Sequence, residues 1–146
     1  MKKREILSLF LTDFRQFVKK TLPNIKIKFA TNTKGHIEFS SKTTLPAVIY
    51  LPQNVDEYTQ LFITLHELGH LYMHKYMHKL GMRQNEFVPD LLAVAYMYEA
   101  GYDPTEILSI LEILYDRYEN VIRSILAFLL LYYLEKEEKH GCECYH

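Results

Sequence analysis

Tryptophan is missing from this sequence, and glycine and proline occur only five times each in 146 residues. Nothing in it reads as a linker, no repeat is visible, and the length suits one domain spanning 1–146. Cysteine is almost absent too: Cys142 and Cys144 stand close together near the C-terminal end. Two cysteines in a tail make no disulfide framework, so a reducing cytoplasm is the simplest compartment. An excess of either charge is also lacking, since 17 Lys and Arg face 18 Asp and Glu for a formal net charge of -1. No strong field therefore draws the chain to nucleic acid or to an anionic membrane.

Long hydrophobic runs are missing as well. Ile125 to Leu134 carries no charge, but it is closed by Arg123 and Glu135 and falls far short of the ~20 residues of a transmembrane helix. It reads as a buried helix, with a homo-oligomer interface or a shallow membrane contact as the minor reading. The start, Met1-Lys2-Lys3-Arg4, has the basic look of a signal peptide, yet Asp13 and Arg15 interrupt the apolar stretch behind it, and no small-residue cleavage site comes after that stretch. An amphipathic helix is expected instead, with Ile6, Leu7, Phe10, Phe14, Phe17 and Val18 facing a core.

What is present is enough apolar material for that core, 49% of the residues. Ile25-Lys26-Ile27-Lys28-Phe29 and His36-Ile37-Glu38-Phe39-Ser40 both alternate with period two across the turn cluster Thr31 to Gly35, which predicts a β-hairpin. A third strand, Ala47 to Leu51, lies between Pro46 and Pro52, and prolines at both ends favour an edge position. From Asp56 onward the pattern is helical. One helix runs from Asp56 to about Lys79 and stops near Gly81; a second runs from about Asn85 to Ala100, with Gly101 as its stop. Asp103-Pro104 opens a third, and a fourth covers roughly Asn120 to Lys139. The fold class is α+β: an N-terminal helix, a small three-stranded sheet and four further helices.

His66-Glu67-Leu68-Gly69-His70 is the segment that carries chemistry. Residues four apart on a helix share a face, with Cβ atoms roughly 5–6 Å apart, so the two imidazoles can bind one zinc ion. The Glu67 carboxylate beside them can take a proton from zinc-bound water. Apolar Ile63, Leu65, Leu68 and Leu71 flank the motif, and Gly69 permits the close approach of another backbone. The bland reading is a surface helix with two solvated histidines.

A catalytic zinc takes three protein ligands. A histidine six residues after the second is excluded, because Tyr76 stands there and Met73 replaces the glycine that arrangement needs. Glu86, on the next helix, is the candidate third ligand. Asp90, four residues later, can accept a hydrogen bond from a ligand histidine and raise its basicity. The plain alternative is that both acids decorate a helix N-terminus, where the dipole favours them. His74 and His78 continue the series of four, but each step rotates by about 40°, away from a zinc held by His66 and His70.

His66-Glu-Leu-Gly-His70, Glu86-Phe-Val-Pro-Asp90, Leu92-Ala-Val-Ala-Tyr-Met97 and Ala100-Gly-Tyr-Asp-Pro104 together resemble the gluzincin peptidases of the heat-shock and CAAX-prenyl type. The resemblance covers about Ile63 to Leu114. Without membrane spans, the chain is more similar to the soluble minigluzincins, stand-alone versions of that catalytic core. It implies a zincin-like fold, with Glu86 as third zinc ligand and Asp90 as its partner acid. Pro89 departs from the pattern's alanine and fits only in a helix's first turn. The family's later histidine-proline segment has no counterpart, which leaves the oxyanion partner open among Tyr102, Arg117 and Arg123. The stretch His66 to His74 is also similar to the regulatory peptidases that cleave phage-type repressors, a second choice within the same chemistry. Deformylase-type hydrolysis is excluded, since it needs a cysteine ligand upstream of the motif.

The sequence thus points to a zinc metalloendopeptidase acting on a peptide or protein, with Glu67 as proton acceptor and the substrate extended along the strand Ala47 to Leu51. The alternative is a catalytically latent zinc-binding regulatory or interaction module. The tail, residues 139–146, reads most simply as a loose end. The sharper reading is that Cys142, Cys144 or His146 fills the fourth zinc position and keeps the enzyme a zymogen.

Overall fold

Leu11, Phe14, Val18 and Thr21 recur at steps of three and four, which places them on one face of a helix. Lys3–Thr21 forms that helix, α1; these residues and Phe17 are buried, and Phe10 packs partly against them. The computed structural model describes residues 3–40, 42 and 46–114. Along them lie β1 (Ile25–Ala30), β2 (His36–Glu38), β3 (Ala47–Pro52), α2 (Glu57–Tyr72), α3 (Phe87–Glu99) and α4 (Pro104–Leu114). Among the described residues the fold is α+β, four α-helices with a small mixed sheet. None of the helices among the described residues is long and apolar enough to cross a membrane.

The strand order is β1-β3-β2, and this corrects two expectations. β1 and β2 do not form a hairpin: β1 runs parallel to β3, with Ile25 beside Ala47 and Phe29 beside Leu51, while β2 runs antiparallel to it. β3 is therefore central, not an edge. Its prolines are compatible with that place because Pro46 precedes the strand and Pro52 is its last residue, so no ladder bond is lost in the middle. The deciding factor is burial. Ala47, Ile49 and Leu51 are 1%, 0% and 3% exposed, whereas Lys26, Lys28 and half-exposed Ile27 and Phe29 suit β1 to the rim.

α2 is the axis of the core. Asp56 caps it, its Oδ1 accepting the Thr59 amide at 2.8 Å. Every residue from Phe62 to Gly69 is buried, between the sheet on one side and α1 and α3 on the others. Tyr72 ties α2 to α1, donating to Asp13 Oδ2 at 2.5 Å while its ring meets Phe14 and Phe17 edge-on. Beyond Tyr72 the helix widens into a π-turn (Met73–Met77), tightens into a 3-10 turn (His78–Leu80) and stops at Gly81. Gly81 has φ 80°, the left-handed stop that its place in the sequence predicts.

The expected fourth C-terminal helix, its apolar run from Ile125 to Leu134, and Arg117, Arg123, Cys142, Cys144 and His146 lie outside the described residues.

The central place of β3 predicts unequal costs for one chemical change. Ile49→Ala should lower unfolding free energy in urea by about 2–5 kcal/mol, the range for a buried large-to-small change. Ile27→Ala, on the rim, should lower it by less than about 1 kcal/mol. Equal values for the two would contradict the strand order.

Candidate metal centre

Six side chains converge at the C-terminal half of α2. His66 and His70 lie one turn apart, their ring centroids 4.9 Å from each other. Both turn Nε2 toward one carboxylate: His66 Nε2 lies 2.8 Å from Glu86 Oε2, and His70 Nε2 lies 3.4 Å from the same oxygen. The Nδ1 sides are held from behind. His66 Nδ1 donates to Asp90 Oδ1 at 2.7 Å, and His70 Nδ1 lies 2.8 Å from Gln84 Oε1. Glu67 stands beside the histidines, and ligand atoms of His66, Glu67 and His70 all lie within 4.8 Å of one another, close enough to hold a metal ion.

The second strand of chain that completes this cluster is placed by a single contact. A Cβ on Gly69 would stand 2.9 Å from Pro89 Cα, so only glycine lets α3 come this close to α2. Pro89 sits in the first turn of α3, where its missing N–H costs the helix no bond, so the departure from alanine is accommodated. Asn85 Oδ1 accepts the Val88 amide at 2.9 Å and starts the helix. Glu86, just before it, and Asp90, one turn in, then face His66 together.

The electrostatics arise from this crowding. Burial alone would lower His66, but its bonds to Asp90 and Glu86 outweigh that and raise it from 6.5 to about 9. His70 is likewise raised, its bonds to Glu86 and Gln84 overcoming burial. Bonds from His66 and His70 hold Glu86 well below the usual carboxylate range. Glu67 moves the other way: burial pushes its carboxyl up, against the pull of the two imidazoles. Two imidazole nitrogens converging on a carboxylate, each ring backed by an acceptor at Nδ1, form a donor set that fits zinc.

The cluster opens into a cleft of about 590 Å³ walled on one side by β2 and its flanks, including Gly35, Ile37 and Phe39. Gly35 has φ 121°, and a Cβ there would stand 2.5 Å from Ile63 Cγ2 and 3.8 Å from Glu67 Oε2. Glycine thus lets the β1–β2 connection close over the Glu67 carboxylate. His74 also lines this cleft, its ring 4.9 Å from Phe39. Tyr102 packs edge-on against Tyr58 at 5.6 Å and is not among the residues that line the cleft. The strand Ala47 to Leu51 is paired on both sides and cannot take a peptide; the sheet edge beside the cleft is β2. Gln84 and Gly35 were not singled out from the sequence. No local pattern marks Gln84; its partners show only once His70 has a direction.

Two outcomes are expected. Gly69→Ala gains about 1 kcal/mol of helix propensity yet must push Pro89 away, so it should lower stability and weaken zinc binding about tenfold, read by chelator competition. In chelator, the protein should lose stability as pH rises from 6.5 to 9, because a group raised in the folded state stabilises below its unfolded pKa and ceases to as it deprotonates. On the acid side the loss comes from Glu86, whose lowered pKa stabilises only while it is ionised. Urea midpoints from pH 6.5 to 9 check the first and midpoints below pH 4.5 the second; a flat profile between pH 6.5 and 9 would contradict the His66 environment.

No curated protein and no solved structure matches the chain. Residues 22–99, more than half of it, match the peptidase family described as the IrrE N-terminal-like domain. That stretch holds the whole sheet, α2, α3 and every residue from His66 to Asp90, and on it the chain belongs to this family of zinc-metallopeptidase-like proteins.

Proposed function

We propose that the protein is a zinc-dependent endopeptidase of gluzincin arrangement, akin to the minigluzincins, in which His66, His70 and Glu86 hold the ion. The observation that carries this reading is the approach of both Nε2 atoms to the Glu86 carboxylate. Glu67 can reach the same ion, but Glu86 is the acid that both imidazoles contact, which leaves the Glu67 carboxylate for the proton. Zinc, when bound, polarises a carbonyl and lowers the pKa of a coordinated water towards about 7.

The chain's own residues do the rest. Glu67 accepts a proton from the attacking water and returns it to the leaving amine; burial raises its carboxyl, which makes it the stronger base. Asp90 keeps the His66 proton on Nδ1 and its Nε2 lone pair turned to the ion. A peptide lies extended in the cleft and adds its backbone to β2 at the sheet edge. Ile37, Phe39 and Ile63 offer its side chains apolar contact. With its two cysteines confined to the tail, the chain suits a reducing cytoplasm, as a single domain.

Metal analysis paired with hydrolysis of denatured casein tests the reading. Glu67→Gln should retain the wild-type zinc content and lose about 10²- to 10⁴-fold in rate. Turnover that survives the substitution refutes Glu67 as base. Zinc bound by the wild type without hydrolysis favours the latent module instead.

A further inference from the structure

We infer that Gln84 is the positioning residue of His70, fixing which ring nitrogen carries the proton so that Nε2 presents its lone pair to the ion. The inference rests on the reading of His70 as a metal ligand, not on turnover. His70 needs such a device more than His66 does. His66 is 8% exposed and backed by a buried acid, whereas His70 is 17% exposed and its Nδ1 faces a neutral amide. A neutral imidazole carries its proton on either nitrogen, and the partner of one nitrogen decides the other.

Gln84 settles the choice by gripping the residue at two points. Its Nε2 donates to the backbone carbonyl of His70 at 2.8 Å, and its Oε1 faces His70 Nδ1 at 2.8 Å. A carbonyl oxygen can only accept, so the amide nitrogen must face it and the amide oxygen must face the ring. The ring nitrogen opposite an oxygen must carry the proton, and the other, Nε2, is then free to ligate. The grip falls where α2 passes into its π-turn, the place at which the helix could otherwise turn the ring. The same connection carries Glu86 two residues on, so the ligand and the group that orients its neighbour arrive together.

The test is made on the full chain with zinc itself. Gln84→Met keeps the length of the side chain and removes both bonds; it should weaken zinc binding about ten- to a hundredfold by chelator competition. Because Gln84 is exposed, the unfolding midpoint of this variant in chelator should stay near that of the wild type. Long-range proton–nitrogen NMR of the zinc-loaded wild type should show His70 protonated at Nδ1 and ligated through Nε2, with the Nδ1 proton lost to exchange in Gln84→Met. Gln84→Glu keeps an acceptor at Nδ1 but loses the donor to the His70 carbonyl, so it should recover the protected proton and part of the affinity. Wild-type affinity in Gln84→Met, a Gln84→Glu variant no better than Gln84→Met, or ligation through Nδ1 overturns the inference. A wild type that binds no zinc overturns it together with the metal centre. Zinc binding without peptide hydrolysis ends only the peptidase reading.

Discussion

The contact between Gly69 and Pro89 is the constraint on which the centre depends. HExxH supplies two imidazoles and a carboxylate from one helix, but a helix cannot surround an ion from one side. The third ligand has to come from a second element brought within reach of the first. Here the backbones of α2 and α3 approach until a Cβ would not fit between them, and the acids at the start of α3 land beside His66. Glycine thus acts here through the volume it leaves rather than through its backbone freedom. Proline is the matching surface, and it stands at one of the few helical positions that tolerate it.

A second close approach works on the other wall. Gly35, in the left-handed region, brings the β1–β2 connection down onto Ile63 and the Glu67 carboxylate. The Glu67 carboxyl is consequently enclosed between helix and connection, and that burial raises its pKa. The sheet contributes by its order. With β3 in the middle, the short β2 becomes the edge that borders the cleft.

How far the sequence could be read depended on the range of each signal. Helices announce themselves locally: the capping Asp56, the stops at Gly81 and Gly101, and Asp103-Pro104 all stand where the structure has helix ends. The pair Glu86 and Asp90 was legible for the same reason, since a spacing of four fixes a face. Strand order was not, because period two tells which residues share a face and nothing about which strand lies alongside. Thr31 to Gly35 looked like a hairpin turn, whereas β1 finds its partner in β3, across residues 31–46. Gln84 escaped notice because an uncharged residue in a connection carries no periodicity; its partners are known only once His70 has a direction. His74 borders the cleft and packs on Phe39.

The connection from Gly81 to Glu86 has a consequence for time rather than for geometry. All of its residues are exposed, while of the two α2 histidines it faces His66 is buried and His70 partly so. One side of the site therefore belongs to the buried core and the other to an exposed strip, the kind that opens locally before the whole protein unfolds. Glu86 and Gln84 both ride on that strip. On the proposed ligand set, an ion held between the two would depart on the strip's own clock with the core intact, and its lifetime would be a property of six exposed residues, separable from the stability of the fold that presents the histidines.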